Sequence, residues 1–495
     1  MNNSKIISII LVTALLITGV LSKDGLRAYA DTASGSSVTP TESASAVSAS
    51  PTATEAPSAT TSASPTASAK ASSSPKVTKT PKPTKTPKPK KKKKVKKPAK
   101  VKWIKTTYRD SRKVTLTWSF TKRATGFLIY RKKIGAKKFK LLKKKGKKHR
   151  KYTDTKVGIN KKYKYKVKAY RKKYKQTVYG KGKVKRYYNL NIVKTTRQKY
   201  SYDMMAADIH KLARKYPNRM TYKVIGKSED GRNIYDVILG NRYAKKTLLF
   251  IAAIHAREYM TSLLAMRQIE RCMQEYNYTV GGTKVNYVLG DVCVHYIVMA
   301  NPDGVMISQN GFTSIRNAKL RKKLYKLGPV NTALWKANAR GVDLNRNFAF
   351  KFKKKGKMSS EGYTGKKAHS EKESKAIVKL VKNLQKYHGL KGVINYHATG
   401  SIIFGSVRKN RKYTNGTVAM YNLARNLTGY ADAGSYESSD VSDAHGNFRE
   451  YAMYVKKIPS ITLEIGKTPC PLVIKEYADI WKRNKNIVIK EAALF

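Results

Sequence analysis

Three residues in this chain have the types and spacing to do metal chemistry. His255 and Glu258 stand in IHAREYM, and His397 stands in INYHATG about 140 positions later. Two histidines and a carboxylate are zinc ligands. A set of three leaves one position open, as a hydrolytic ion needs in order to polarise a carbonyl and lower the pKa of a bound water. A His-x-x-Glu pair alone arises by chance in any long chain, usually on a solvated surface. Placement gives this pair its weight. KKTLLFIAAI, ending at Ile254, is a continuous apolar run that reads as a buried strand, and YMTSLLAMRQIERCMQEY after it has apolar residues at helical spacing. His255 and Glu258 therefore fall at a strand-to-helix turn, and in open α/β sheets ligands gather outside the carboxyl ends of strands. LKGVINYH is a second β-rich run, with His397 at its carboxyl end ahead of Thr399 and Gly400.

The elements that must position these residues occupy only part of the chain. Its 495 residues exceed one typical domain, and the composition changes sharply along their length. Residues 1–30 combine Lys5, the apolar run IISIILVTALLITGVL and Ala28-Tyr29-Ala30, a secretory signal pattern. A retained membrane anchor is the alternative, although the run is short for a spanning helix. No later stretch is long and apolar enough to span, so a secreted, wall-associated protein with no stable membrane span after signal removal is expected. Residues 31–96 are Ser/Thr/Ala/Pro-rich and then Lys/Pro-rich, too poor in large apolar residues to build a core; they read as an extended, disordered linker. Three cysteines, Cys272, Cys293 and Cys470, exclude a disulfide framework. One bridge with a thiol left over stays open, with Cys272 and Cys293 reading as small buried hydrophobes.

The formal net charge is +75, and residues 101–190 hold 34 Lys or Arg against Asp110 and Asp154. Such a field implies polyanionic surroundings. For an exported chain the candidates are acidic wall polymers, anionic lipid headgroups or extracellular nucleic acid, with intracellular DNA or RNA binding opposed by the signal pattern; anionic cell-wall polymers, bound through the Lys-rich region, are the expected partners. The excess of Lys over Arg suits diffuse attraction better than bidentate reading, so no specific nucleic acid is expected. A lineage-wide Lys bias is the alternative explanation. A monomer is expected.

Residues 97–187 alternate apolar and aromatic residues in short runs, among them KVTLTWSF, GFLIYRK and KYKYKVKAYRK, separated by Gly- and Lys-rich turns. This predicts a small all-β antiparallel sandwich with Lys on the solvated faces. Pro98, Leu116-x-Trp118, Gly126-x-x-Ile129-Tyr130, Tyr152-Thr153-Asp154 and Tyr163-x-Tyr165-x-Val167-x-Ala169-Tyr170 make the segment resemble a fibronectin type III module.

From residue 195 to 495 helices and strands take turns. YDMMAADIHKLARKYP is amphipathic with a Pro stop, MTYKVIGKS and NIYDVILGN flank a Gly231-Arg232 turn, and the strand before His255 follows. This is the pattern of an α/β fold, a mixed, mostly parallel sheet with helices on both faces. The motifs YSYDMM, YPNRMTYKVIGKSEDGRNIY, HAREYM, NPDG, GVDLNRNF, NYHATG and IPSITLEIG occur in that order. With them, nearly this whole segment resembles the M14 zinc carboxypeptidase family. WKANARGVDLNRNF and GNFREYAMYVKKIPSITLEIG look most like its bacterial branch with γ-D-glutamyl-diamino acid peptidases.

That resemblance implies one zinc ion on His255, Glu258 and His397, with Glu464 as general base. It implies Asn345 and Arg346 as the anchor of a substrate carboxylate, which a planar guanidinium grips bidentately. It also implies Arg257 as a further subsite arginine. Two positions depart from the pattern. Lys336 follows Trp335 where many members have Arg, and can stabilise an oxyanion as a point charge, with an exposed surface lysine as the alternative. The family's mobile tyrosine falls on Ser442, and Tyr436 is the nearest upstream tyrosine. Among the other histidines, His445 in SDVSDAHGNF is expected to border the site, while His210, His295, His369 and His388 read as surface or satisfied residues.

The expected function is zinc-dependent hydrolysis of a peptide bond next to a free carboxylate, in peptidoglycan stem peptides. Ordinary protein or peptide carboxyl termini are the alternative substrates, and a non-catalytic wall-binding protein with a vestigial peptidase domain is the alternative of another class.

Overall fold

The computed structural model describes residues 93–405, 412–433 and 445–495. The expected signal segment, nearly all of the expected linker, Tyr436 and Ser442 lie outside the described residues.

The first folded unit is built from two antiparallel sheets. Strands β1 (Ile104–Asp110), β2 (Lys113–Trp118) and β5 (Lys151–Asp154) pair in the order β1-β2-β5. Strands β3 (Gly126–Lys133), β4 (Lys140–Gly146), β6 (Lys161–Lys173) and β7 (Gln176–Tyr179) pair as β4-β3-β6-β7, and β8 (Lys183–Asn189) also joins β6. Alternation along β6 builds both faces: Tyr163, Tyr165, Val167 and Ala169 are buried, while the lysines between them face outward. The rings of Trp118 and Phe127 meet edge to face with centroids 5.5 Å apart at the centre of this core. Asp154 is held by Arg131 Nη1 at 2.7 Å and by the Tyr165 hydroxyl at 2.6 Å.

The second unit is organised by one eight-stranded mixed sheet. Its strands are β9 (Met220–Lys227), β10 (Asn233–Leu239), β11 (Lys246–Ala252), β14 (Val292–Ile297), β15 (Leu390–His397), β16 (Ile402–Phe404), β17 (Ala431–Asp432) and β18 (Ser460–Glu464). A separate two-residue hairpin pairs β12 (Thr279–Val280) with β13 (Thr283–Lys284). The order is β17-β16-β18-β15-β11-β14-β10-β9, with β14, β11, β15 and β18 parallel to one another. Apolar residues fill both faces of the central strands, as helices on either side require. Leu248 and Phe250 pack with α1 (Tyr202–Lys215), α2 (Met260–Glu275), α4 (Lys412–Thr428), α5 (Tyr477–Asn484) and α6 (Ile487–Ala492), while Leu249 and Ile251 pack with α3 (Lys372–Tyr387). Ser201 caps α1, its hydroxyl accepting from the Met204 amide at 3.3 Å.

The two units meet at the carboxyl end of α2. The Tyr278 hydroxyl donates to Asp110 at 2.9 Å, and Arg112 pairs with Glu275 at 3.2 Å. Fully buried Glu270 accepts the backbone amides of Ile192 at 2.6 Å and Val193 at 3.2 Å, tying the connecting segment to the helix. The amino end of α2 begins just after the His255–Glu258 turn, so this seam lies one helix length from it, about 24 Å. The three cysteines are free thiols. Among the described residues no helix is long and apolar enough to cross a membrane.

Candidate metal centre

Three parallel strands end together at the site. His397 and Glu464 are the last residues of β15 and β18 and are direct register partners. β11 ends at Ala252, and the chain breaks from the strand at Ala253, a non-glycine residue at φ 50°. Surrounding bonds hold that costly conformation. The Ala253 amide donates to Thr261 Oγ1 at 2.9 Å, Asn301 N donates to its carbonyl at 3.0 Å, and Asn301 Nδ2 donates to Ile254 O at 3.1 Å and Ala337 O at 3.0 Å. The Asn of NPDG is thus a clamp that fixes where His255 emerges. Residues Ala256–Glu258 form a single 3₁₀ turn, which brings Glu258 back beneath His255.

His255 Nδ1 lies 2.7 Å from Glu258 Oε1, His397 Nδ1 lies 2.9 Å from Glu258 Oε2, and the two Nδ1 atoms are 3.1 Å apart. All three side chains are buried, at 2–4% exposure. With both imidazoles neutral and their protons on Nε2, two nitrogen lone pairs and both oxygens of a carboxylate converge with no donor between them. Such a set is stable around a cation, and its N,N,O composition is that of a hydrolytic zinc site, so the residues present fit the ion.

Each outer nitrogen also has a polar group beside it. His255 Nε2 faces Asp343 Oδ1 at 3.3 Å, and His397 Nε2 faces the Asn395 amide at 2.8 Å. Asn395 Oδ1 has no partner as oriented, and exchanging the amide's oxygen and nitrogen lets Nε2–H donate to it. Partners of this kind set the tautomer of ligating histidines. Neither Asp343 nor Asn395 was singled out from the sequence as a site residue. The signal for Asn395 was present, since it stands two residues before His397 on the same face of β15.

Burial and charge set the titration of the group. Burial pushes the Glu258 carboxyl up, but the two histidines beside it outweigh that and hold it well below the usual range. Burial drives His255 down, whereas the Glu258 carboxylate overcomes burial at His397 and raises it. Glu464 is pushed up to about 8 by burial, reinforced by Glu258 and opposed by His397 and Lys336. A cation on the triad would draw it back toward neutrality, where a base is most useful.

Lys336 is a buried residue of the site rather than an exposed surface lysine. It is 2% exposed, its Nζ lies 3.8 Å from Asp343 Oδ2, and its carbonyl accepts from Ala256 N at 3.0 Å. Asp343 therefore touches both His255 and Lys336, and against the cost of burial Lys336 and His255 hold its carboxyl well below the usual range. The loop carrying Lys336 and Asp343 is braced from behind. Asn338 Nδ2 donates to Glu371 at 3.0 Å and Glu373 at 3.3 Å, and Arg340 pairs with Glu371 at 3.5 Å. These protein donors occupy the acidic cluster of Glu229, Glu371 and Glu373.

Asn345 and Arg346 follow Asp343 on one 3₁₀ turn. Asn345 N donates to Asp343 Oδ1 at 3.0 Å, its Oδ1 accepts from Phe448 N at 3.0 Å, and Arg346 Nη1 donates to Asn345 O at 3.0 Å. The segment after His445 packs against this turn, with Phe348 N donating to Gly446 O at 2.8 Å. Arg257 emerges from the ligand turn, donates to Leu334 O at 3.1 Å and pairs with Glu361 at 3.4 Å. The structure thus gathers His255, Glu258, His397, Glu464 and Lys336, with Asn345-Arg346 joined through Asp343.

Residues 205–486 match the family model described as zinc carboxypeptidase, Peptidase M14. The γ-D-glutamyl-L-diamino acid endopeptidase 1 of Lysinibacillus sphaericus is 24% identical over 302 residues, 59% of this chain and 72% of that protein. Metallocarboxypeptidase A of Trichophyton tonsurans is 28% identical over 211 residues, 41% of this chain and 46% of that one. A crystal structure of thrombin activatable fibrinolysis inhibitor is similar with a TM-score of 0.49 and 18% identity, over 61% of this chain and 76% of that one. The family is zinc-dependent, its members are hydrolases, and with over half of its length matched this chain belongs to the M14 zinc carboxypeptidase family.

Proposed function

We propose that this protein is a secreted zinc metallopeptidase that hydrolyses the γ-D-glutamyl-diamino acid bond of peptidoglycan stem peptides, next to a free carboxylate. The observation that carries the catalytic reading is the convergence of His255, Glu258 and His397 beside Glu464 at adjacent strand ends. The similarity to a γ-D-glutamyl-L-diamino acid endopeptidase supports the substrate, and the signal pattern at residues 1–30 supports export.

His255, Glu258 and His397 would hold the zinc ion, which would supply Lewis acidity toward a water and the scissile carbonyl. Glu464 accepts the proton of the attacking water and passes it to the leaving amine, the exchange its raised proton affinity suits. Lys336, buried and pinned by Asp343, presents a fixed positive charge to the developing oxyanion. Asn345 and Arg346 anchor the substrate carboxylate, and Arg257 lines a more distant subsite.

The second reading is a carboxypeptidase acting on ordinary carboxyl termini, favoured by the similarity to a fungal metallocarboxypeptidase A. Incubating the purified protein with muropeptides and with plain peptides, and comparing products by mass, separates the two. Release of the diamino acid end from muropeptides, with plain peptides intact, is expected. Stepwise trimming of plain peptides with muropeptides untouched would overturn the substrate.

A further inference from the structure

The charge of the first unit is arranged, not merely abundant. Along β6, Lys162, Lys164, Lys166 and Lys168 occupy alternate positions on the outer face, about 7 Å apart along the strand. Lys164 has Lys132 of β3 opposite it on one side and Arg186 of β8 on the other, a row of three cations across three strands. Like charges directly opposite one another destabilise a sheet. Among the described residues no carboxylate pairs with any of these six. The unit's two acids are committed elsewhere, Asp154 to Arg131 and Tyr165, and Asp110 to Tyr278 at the seam with α2.

We propose that the outer face of the β4-β3-β6-β8 sheet is a docking surface for a linear phosphodiester-linked polyol polymer, whose phosphates run along the β6 lysine row. Charge complementarity and the regular interval call for a chain with one negative charge per repeat. Tyr188, opposite Lys162 on the same face, is exposed, so single-stranded nucleic acid is the competitor that the test must separate. Lys166 Nζ sits 5.1 Å from the centre of the Tyr130 ring and Lys168 Nζ sits 4.6 Å from that of Tyr179, cation–π contacts that hold these ammonium groups against the face. Lysines act as point charges toward phosphate and need no fixed bidentate geometry, which suits a flexible polymer. The unit that carries this surface joins the second unit at the end of α2 far from the His255–Glu258 turn.

The test measures binding of the full chain to poly(glycerol phosphate) over a salt series. Lys164→Gln, Lys166→Gln and Lys168→Gln combined are compared with Lys375→Gln, Lys379→Gln and Lys382→Gln combined, which remove the same charge from the exposed face of α3. The β6 triple should weaken binding at least about tenfold and flatten the log–log salt slope by about 2, while the α3 triple should change affinity less than about threefold. The corresponding three Lys→Arg changes on β6 should keep wild-type binding, and unfolding midpoints check that the variants are folded. Equal losses from both Gln triples would overturn the proposal, as would equal or tighter binding of single-stranded DNA or polyglutamate carrying the same number of charges.

Discussion

The two units handle charge in opposite ways. Around the metal centre, Glu258, His255, His397, Asp343 and Lys336 are all buried, and each faces at least one named polar partner. On the outer face of the first unit, the lysines are at least partly exposed and stand opposite one another without a counter-ion. In a low-dielectric interior an unpartnered charge costs several kcal/mol, so a buried site must be built as a closed network. At a surface the same mismatch costs tenths of a kcal/mol, because water and salt screen it. Positioned chemistry is therefore the business of the second unit, while the first offers exposed charge to a partner at its surface.

Breaking a buried pair should have the largest effect. His295 lies 2.9 Å from Asp236 in the core of the second unit; burial alone would lower its pKa, but Asp236 outweighs burial and raises it to about 9. Because the folded value lies above the unfolded one, this stabilisation is complete below about pH 6.5 and is lost as pH rises through about 9, up to about 3 kcal/mol. Denaturant unfolding of the wild type should show that decline, and Asp236→Asn should flatten it. A decline unchanged in Asp236→Asn would break the contrast. Next comes Asp343→Asn, which should weaken zinc binding about 10–100-fold by competition with a chelator while secondary structure is retained. Unchanged affinity would mean that Asp343 does not act through His255. The smallest effect is Lys164→Gln, which should leave stability unchanged or raise it by about 0.2–1 kcal/mol by relieving the rows with Lys132 and Arg186. A loss of stability would show that this lysine has a structural partner.

How much was legible in the sequence follows the same division. The alternation of Tyr163, Lys164, Tyr165 and Lys166 announces a one-sided sheet because the side-chain period of a strand is local. His255, Glu258 and His397 were legible because each stands at or just beyond the end of an apolar run, and strand ends are where such sheets place ligands, whereas Glu464 was reached through the family resemblance of IPSITLEIG. Asp343 was hidden inside GVDLNRNF, where the Asn345-Arg346 reading accounted for the motif, and its contact with His255 joins segments far apart in the chain. The burial of Lys336 was equally illegible, since its sequence neighbours resemble those of many surface lysines in so basic a chain. The role of Asn301 in NPDG depends on carbonyls of two other segments, at Ile254 and Ala337, which no local pattern reveals.

The proposed function requires a zinc ion held by three side chains and a base that is not one of its ligands. The most direct measurement is the metal content and peptide hydrolysis rate of purified Glu464→Gln beside the wild type. The proposed function predicts one zinc per chain in both proteins, with hydrolysis by the variant reduced at least about a hundredfold. Activity within a few-fold of wild type, or loss of the zinc along with the base, would contradict it.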